Sequence, residues 1–290
     1  MAQGCSPHVS ANSSVCNGAT DNAAGVAAAL LAATQLRDTQ SLPFALLLSD
    51  GEESNLNGSR AFVSKPSIDL SQLALVINLD IVGLNLFKGL ENHHLIFGIA
   101  NAPAPLQQAL HQRLNGFSEL KLHHFSYGLS HGRSDHTSFM TAAKPYPSLL
   151  LSDGSGGQYH STADEWSRVN LAKVVAVAKL TATIAIAAAN ASANHGNSYS
   201  ADMVNRSPSF PDTQALLELL NDVLEQPKAN GLYGVQLARL RKQMASLKRI
   251  EKAGEAAFGQ PQAEQIGSIA LEFLQLSRES FFQNATSDKE

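Results

Sequence analysis

The sequence predicts an α/β fold: a mostly parallel twisted sheet flanked by helices, with a C-terminal helical segment. Three observations predict it. Short continuous apolar runs alternate with segments of helical periodicity over the first two thirds of the chain, the pattern of βα units. Those runs lack in–out alternation, as strands buried on both faces do. After a polar stretch rich in Asn, Ser, His and Pro, apolar residues recur every three or four positions in three successive segments. The expected division is an α/β domain over 1–195, a linker over 196–211 and a helical region over 212–290.

Each element follows from its own residues. "NAAGVAAALLAATQLRD" (22–38) spaces small and apolar residues as a helix does, and Asp21 precedes it as a cap candidate. "PFALLLSDG" (43–51) is a short apolar run ending in a turn and is expected as a strand buried on both faces, and "LALVINLDIVG" (73–83) reads the same way. "HHLIFGIA" (93–100) is a strand, "APLQQALHQRLNGF" (104–117) a helix ending near Gly116, and "LKLHHFSYG" (120–128) an edge strand. "SDHTSFMTAA" (134–143) begins as a capped helix, "YPSLLLSDGSGG" (146–157) is a buried strand with its loop, and 170–191 is a long closing helix. In the last region Asp212 and Pro261 suit helix starts, and Leu216, Leu220 and Leu224 form an apolar stripe.

The composition bounds the function. The chain has 290 residues, 44% hydrophobic and 16% charged, so a sizeable core is expected rather than disorder. A formal charge of -4 and scattered Lys and Arg argue against a nucleic-acid or anionic-membrane partner. The longest apolar stretch, 171–189, carries Lys173 and Lys179 and suits a buried helix better than a membrane span. "MAQGCSPHVS" has neither the basic nor the apolar part of a signal peptide. Cys5 and Cys16 form either a disulfide or two free thiols, and their spacing does not suit a zinc thiolate site.

In parallel α/β sheets, ligands bind beyond the carboxyl ends of the strands. Glu52 and Glu53 follow one expected strand, Asp80 closes the next, His160 follows a third, and Asp21 lies just before a helix. Carboxylates with an imidazole suit a cation such as Zn²⁺. A divalent ion would also account for two adjacent glutamates, one on the metal and one on its water. Taken singly, Asp21 could cap its helix, Asp80 end a strand, His160 bond a carbonyl and the Glu pair form a solvated turn.

"GATDNAAG", "DGEESNLNGS", "INLDIVG", "SDHTSF" and "YHSTAD" occur in the order seen in the M28 family of zinc aminopeptidases, and over about 17–189 the chain resembles that family. The resemblance implies that 1–195 is a catalytic domain acting on peptide or aminoacyl substrates. It implies Asp21 as the carboxylate bridging two zinc ions, Glu52 as general base, Glu53 and His160 as ligands of one zinc, and Asp80 as a ligand of the other. Hydrolysis of an N-terminal peptide bond would use a zinc-activated water, with Glu52 carrying its proton to the leaving amine. His131 stands near the position of an oxyanion-holding tyrosine in some relatives and is a candidate for that role or a simple loop residue. Asp135 and His136 are expected to fix their loop and cap its helix. Relatives are often secreted or periplasmic.

The family's His-x-Asp motif is missing upstream of Asp21. His8 is followed by Ser10 where the Asp should stand, and His8 is expected to be a loop residue. The reading is of a catalytic domain incomplete at its N-terminus. One zinc site would keep Asp21, Glu53 and His160, and the second only Asp21 and Asp80. The sheet would lack strands from its middle, with self-association and weakened activity as consequences.

Three other readings compete. A glutaminyl-cyclase-like single-zinc acyltransferase shares the "DGEE…GSR" echo. A serine esterase would use Ser130 in "GLSHG" (128–132), with His160 and Asp153 or Asp164. A non-catalytic remnant would use the C-terminal helices as a pairing module.

Overall fold

The computed structural model describes residues 15–38, 43–99, 102–130, 132–195 and 207–287. Four strands form its sheet: β1 (Val76–Leu79), β2 (His93–Phe97), β3 (Lys121–Phe125) and β4 (Ser148–Ser152), in the order β1-β4-β2-β3. β1 pairs with β4 and β2 with β3 in parallel, whereas β2 meets β4 antiparallel. Parallel neighbours need a crossover, and α3 (Ala104–Leu114) supplies it between β2 and β3. No helix separates β1 from β2, and the chain returns in the opposite direction.

Alternation along β2 places a core on each face. Ile96 packs with α1 (Ala24–Asp38), α3 and α5 (Leu171–His195), while Leu95 and Phe97 pack with α6 (Phe210–Glu225), α7 (Gly234–Ala253) and α8 (Gln260–Ser287). The C-terminal helices therefore share a continuous core with the sheet. α5 is long and apolar enough to cross a membrane by composition, yet Val177, Leu180 and Ile184 are fully buried against α1 and α3. Its Lys173 is buried too, donating to the Leu84 carbonyl at 2.7 Å and lying 3.5 Å from Asp153.

α6 begins at Phe210, two residues before the expected start. Ser209 is the N-cap, and Asp212 sits three residues on in a capping box, its Oδ2 accepting from the Ser209 amide at 2.6 Å. The same carboxylate accepts from the Ser126 amide and hydroxyl, which ties the start of α6 to the end of β3.

One expected strand is not formed. Residues 43–49 adopt no strand pairing, and Phe44, Leu46, Leu47 and Leu48 are exposed, Leu48 by 60%. An apolar run is buried as a strand only where a neighbouring strand takes up its backbone groups, and among the described residues β1, at the near edge of the order, pairs with β4 alone.

Candidate metal centre

The site is assembled from four chain segments at the ends of the strands. Asp21 lies between Gly18 and α1, at φ -122° and ψ 82°, outside helical geometry, and the Asp21–Asn22 peptide is cis. Asn22 donates to the Leu79 carbonyl at 2.7 Å and so fastens this loop to the last residue of β1. Gly25 makes that approach possible, because a Cβ there would stand 2.1 Å from Asn22 Oδ1 and 2.9 Å from the Leu79 oxygen. Asp80 follows directly, its amide donating to the Leu151 carbonyl and extending the β1–β4 ladder by one bond.

Glu52 and Glu53 lie in a single 3₁₀ turn between left-handed Gly51 and left-handed Asn55 and Leu56. α2 (Asn57–Ser64) starts immediately after it. Gly58 lets that helix start close on Asp50, since a Cβ would come within 2.2 Å of the Asp50 oxygen. His160 is left-handed as well, at φ 54°, a conformation uncommon for a residue with a Cβ.

These segments bring three of the expected ligands together. His160 Nε2 lies 2.7 Å from Glu53 Oε1 and 3.2 Å from Asp21 Oδ2. Their ligand atoms all lie within 4.8 Å of one another. Asp80 and Glu52 stand near enough to feel the same charges. Burial and then the Asp80, Glu53 and Asp164 charges push Asp21 up to about 8. Burial and then Asp80, Glu53, Asp135 and Asp21 push Glu52 up to about 8. Asp80 is also raised, mainly by burial, with a Ser134 hydrogen bond offsetting part of it. So many carboxylates around one imidazole are mutually repulsive without a cation, and a divalent ion accepting one oxygen from each ligand and the imidazole nitrogen would relieve that. The donor set of oxygen and nitrogen fits zinc.

A second layer orients the first. Asp164, buried, accepts from the Thr20 amide at 2.9 Å, the Thr20 hydroxyl at 2.7 Å and the Asp21 amide at 3.1 Å. Ser49 donates to Asp135 Oδ2, and Asn78 donates to Ser134 at 2.6 Å. Asp135 does occupy the N-cap position of α4 (His136–Met140), but its side chain makes no capping bond. On the other side, the Tyr159 ring stacks on His160 with centroids 3.7 Å apart. From the sequence, Asp164 stands out only as a possible acid for a serine nucleophile. Its place four residues after His160 in "YHSTAD" was the available sign of a link to the metal loop.

The parts of the serine route are used elsewhere. The Ser130 hydroxyl donates to the Tyr127 carbonyl at 2.9 Å and lies 3.4 Å from His136 Nε2. His160 faces Asp21 and Glu53, and Asp164 holds the Asp21 loop. Asp153 is buried against His94 at 2.7 Å, Lys173 and the Gly83 amide. Burial alone would raise the Asp153 carboxyl, but Lys173 and His94 hold it below the ordinary range. Cys16 is disulfide-bonded. His131, His8 and Cys5 lie outside the described residues.

A helix-flanked sheet with carboxylates and an imidazole gathered at its strand ends has the architecture of an α/β metallohydrolase. The family model described as peptidase family M28 matches residues 6–185, and the chain belongs to that family. No curated protein matches it. Among solved structures it is similar to the LapA aminopeptidase of Legionella pneumophila, at 20% identity and a TM-score of 0.46, over 59% of this chain and 47% of that one. It is also similar to BSAP, a zinc aminopeptidase from Bacillus subtilis, at 21% identity and a TM-score of 0.42, over 64% of this chain and 44% of that one. The chain thus spans less than half the length of either.

Proposed function

We propose that this chain is a zinc-dependent aminopeptidase in which Asp21, Glu53 and His160 hold one zinc ion and Glu52 is the general base. The observation that carries the reading is the approach of His160 Nε2 to both Glu53 and Asp21, at 2.7 and 3.2 Å, with Glu52 beside them on the same turn. Zinc, when bound there, supplies a Lewis acid for the scissile carbonyl and lowers the pKa of a water. Glu52 would take a proton from the attacking water and return it to the leaving amine. Asp80, together with Asp21, would hold a second ion more weakly. Asp164 and Tyr159 hold Asp21 and His160 in place. The substrate is a peptide or aminoacyl compound.

The test is hydrolysis of an aminoacyl p-nitroanilide by the purified chain. Activity should disappear with a chelator and return with zinc. Glu52→Gln should lower kcat about 10²–10⁴-fold, the range of a lost general base, while leaving zinc affinity nearly unchanged. Hydrolysis indifferent to both chelator and Glu52→Gln would overturn the reading. Cyclisation of an N-terminal glutamine peptide in place of hydrolysis would move the chain to the acyltransferase reading.

A further inference from the structure

A second cluster of metal-binding side chains lies away from Asp21, on the face of the sheet covered by α6. His93 stands at the start of β2 and His123 in the middle of β3, on parallel paired strands. In their register Leu95 is opposite His123, so His93 and His123 are diagonal neighbours on one face. Their rings stack with centroids 5.1 Å apart and an interplanar angle of 18°. Asp222, on α6, closes the group from above.

The three ligand atoms form a compact triangle. His93 Nδ1 lies 2.9 Å from His123 Nε2 and 3.6 Å from Asp222 Oδ2, and His123 Nε2 lies 3.9 Å from Asp222 Oδ2. A triangle with those edges has a circumscribed radius of about 2.0 Å, so one point is equidistant from all three donors at the usual zinc–nitrogen and zinc–oxygen bond length. The His123 ring is fully buried, and its Nε2, the nitrogen that faces Asp222, has His93 Nδ1 as its hydrogen-bond neighbour. Between the two facing nitrogens only one proton fits.

We propose that His93, His123 and Asp222 form a divalent transition-metal site, suited to zinc, that staples α6 to β2 and β3. Two imidazoles and one carboxylate are a borderline donor set that selects zinc-like ions over calcium or magnesium. Asp222 is 15% exposed on its side chain, so the open side of the group lies toward the surface at this residue. Lys121 is the resident competitor. Its ammonium lies 2.6 Å from both Asp222 oxygens, but its side chain is 47% exposed and can turn to water when an ion enters. The ion would couple the C-terminal helices to the two far strands of the sheet, and binding to the folded form alone would stabilise it.

The experiment separates this site from Asp21. Zinc titration is followed by calorimetry and thermal melting on the full chain carrying Asp21→Asn and His160→Gln, which disable the other centre. One zinc per chain should still bind and should raise Tm. Adding His93→Asn should abolish that binding and the Tm rise, with circular dichroism checking that the fold persists. Lys121→Met, a change at an exposed side chain, should tighten zinc several-fold by removing the competing cation. No zinc bound to the Asp21→Asn/His160→Gln protein would overturn the proposal. So would binding that survives His93→Asn, or Lys121→Met that leaves affinity unchanged. Loss of peptide hydrolysis bears on the other centre alone and leaves this one untouched.

Discussion

The guanidinium of Arg278, on α8, lies 5.5 Å from the centre of the Tyr159 ring, which also stacks on the imidazole of His160. Arg278 also donates to Ser155 Oγ at 2.8 Å. The C-terminal helices thus reach the loop that carries a metal-ligand candidate.

Arg278→Met should loosen that loop. Loss of the cation–π contact and the Ser155 bond is expected to cost about 1–2 kcal/mol. It should weaken zinc binding and lower hydrolysis several-fold, with Arg278→Lys recovering part of both. Unchanged zinc affinity in Arg278→Met would show that α8 merely covers the loop.

Asp164→Asn should act on the opposite side. The amide group it introduces would face N–H donors of Thr20 and Asp21 where a carboxylate now accepts them. The expected loss is about 10–100-fold in zinc affinity, as for other residues that orient a ligand. Zinc titration of the variant against the parent chain checks it.

Lys173→Met tests the core rather than the site. It removes the ammonium from Asp153 and leaves that buried carboxylate with only the His94 ring and the backbone amides of Gly83 and Leu84 beside it. The expected destabilisation is about 3–5 kcal/mol in denaturant unfolding. Asp153→Asn added to it should restore part of that loss.

Acid should destabilise the protein through His136. Burial lowers its imidazole to about 3 from an ordinary value of 6.5. The unfolded chain therefore takes up a proton on this group between those two values while the folded one does not. Stability falls as pH drops through that window, by about 1.4 kcal/mol per pH unit for one such group. His136→Asn should reduce the slope of unfolding free energy against pH by about one proton between pH 6 and 4. An unchanged slope in the variant would remove His136 from the account.

Much of the fold was legible because it depends on local pattern. The apolar runs at 76–79 and 148–152 and the periodic segment at 171–195 carry their own signals, and they became β1, β4 and α5. The run at 43–49 carries the same signal and did not become a strand, because pairing requires a neighbour that periodicity does not specify. α6 starts two residues before its periodic pattern does, for a related reason. Asp212 looked like a cap, whereas Ser209 is the cap and Asp212 its capping-box partner.

The sequence by itself determined the family motifs, the α/β class and the residue types able to hold a cation: Asp21, Glu52, Glu53, Asp80 and His160. Spacing along the chain preserves those, since each motif is a strand end or a turn. Only the tertiary structure decided which of them meet, because His160 and Glu53 are 107 residues apart and touch through the packing of separate loops. It alone brought Asp164 under Thr20 and Asp21, and Arg278 over Tyr159. His93, His123 and Asp222 carry no motif at all. Two paired strands and a helix from the far end of the chain bring them within reach of one ion, and such a meeting is written in packing rather than in any local run of residues.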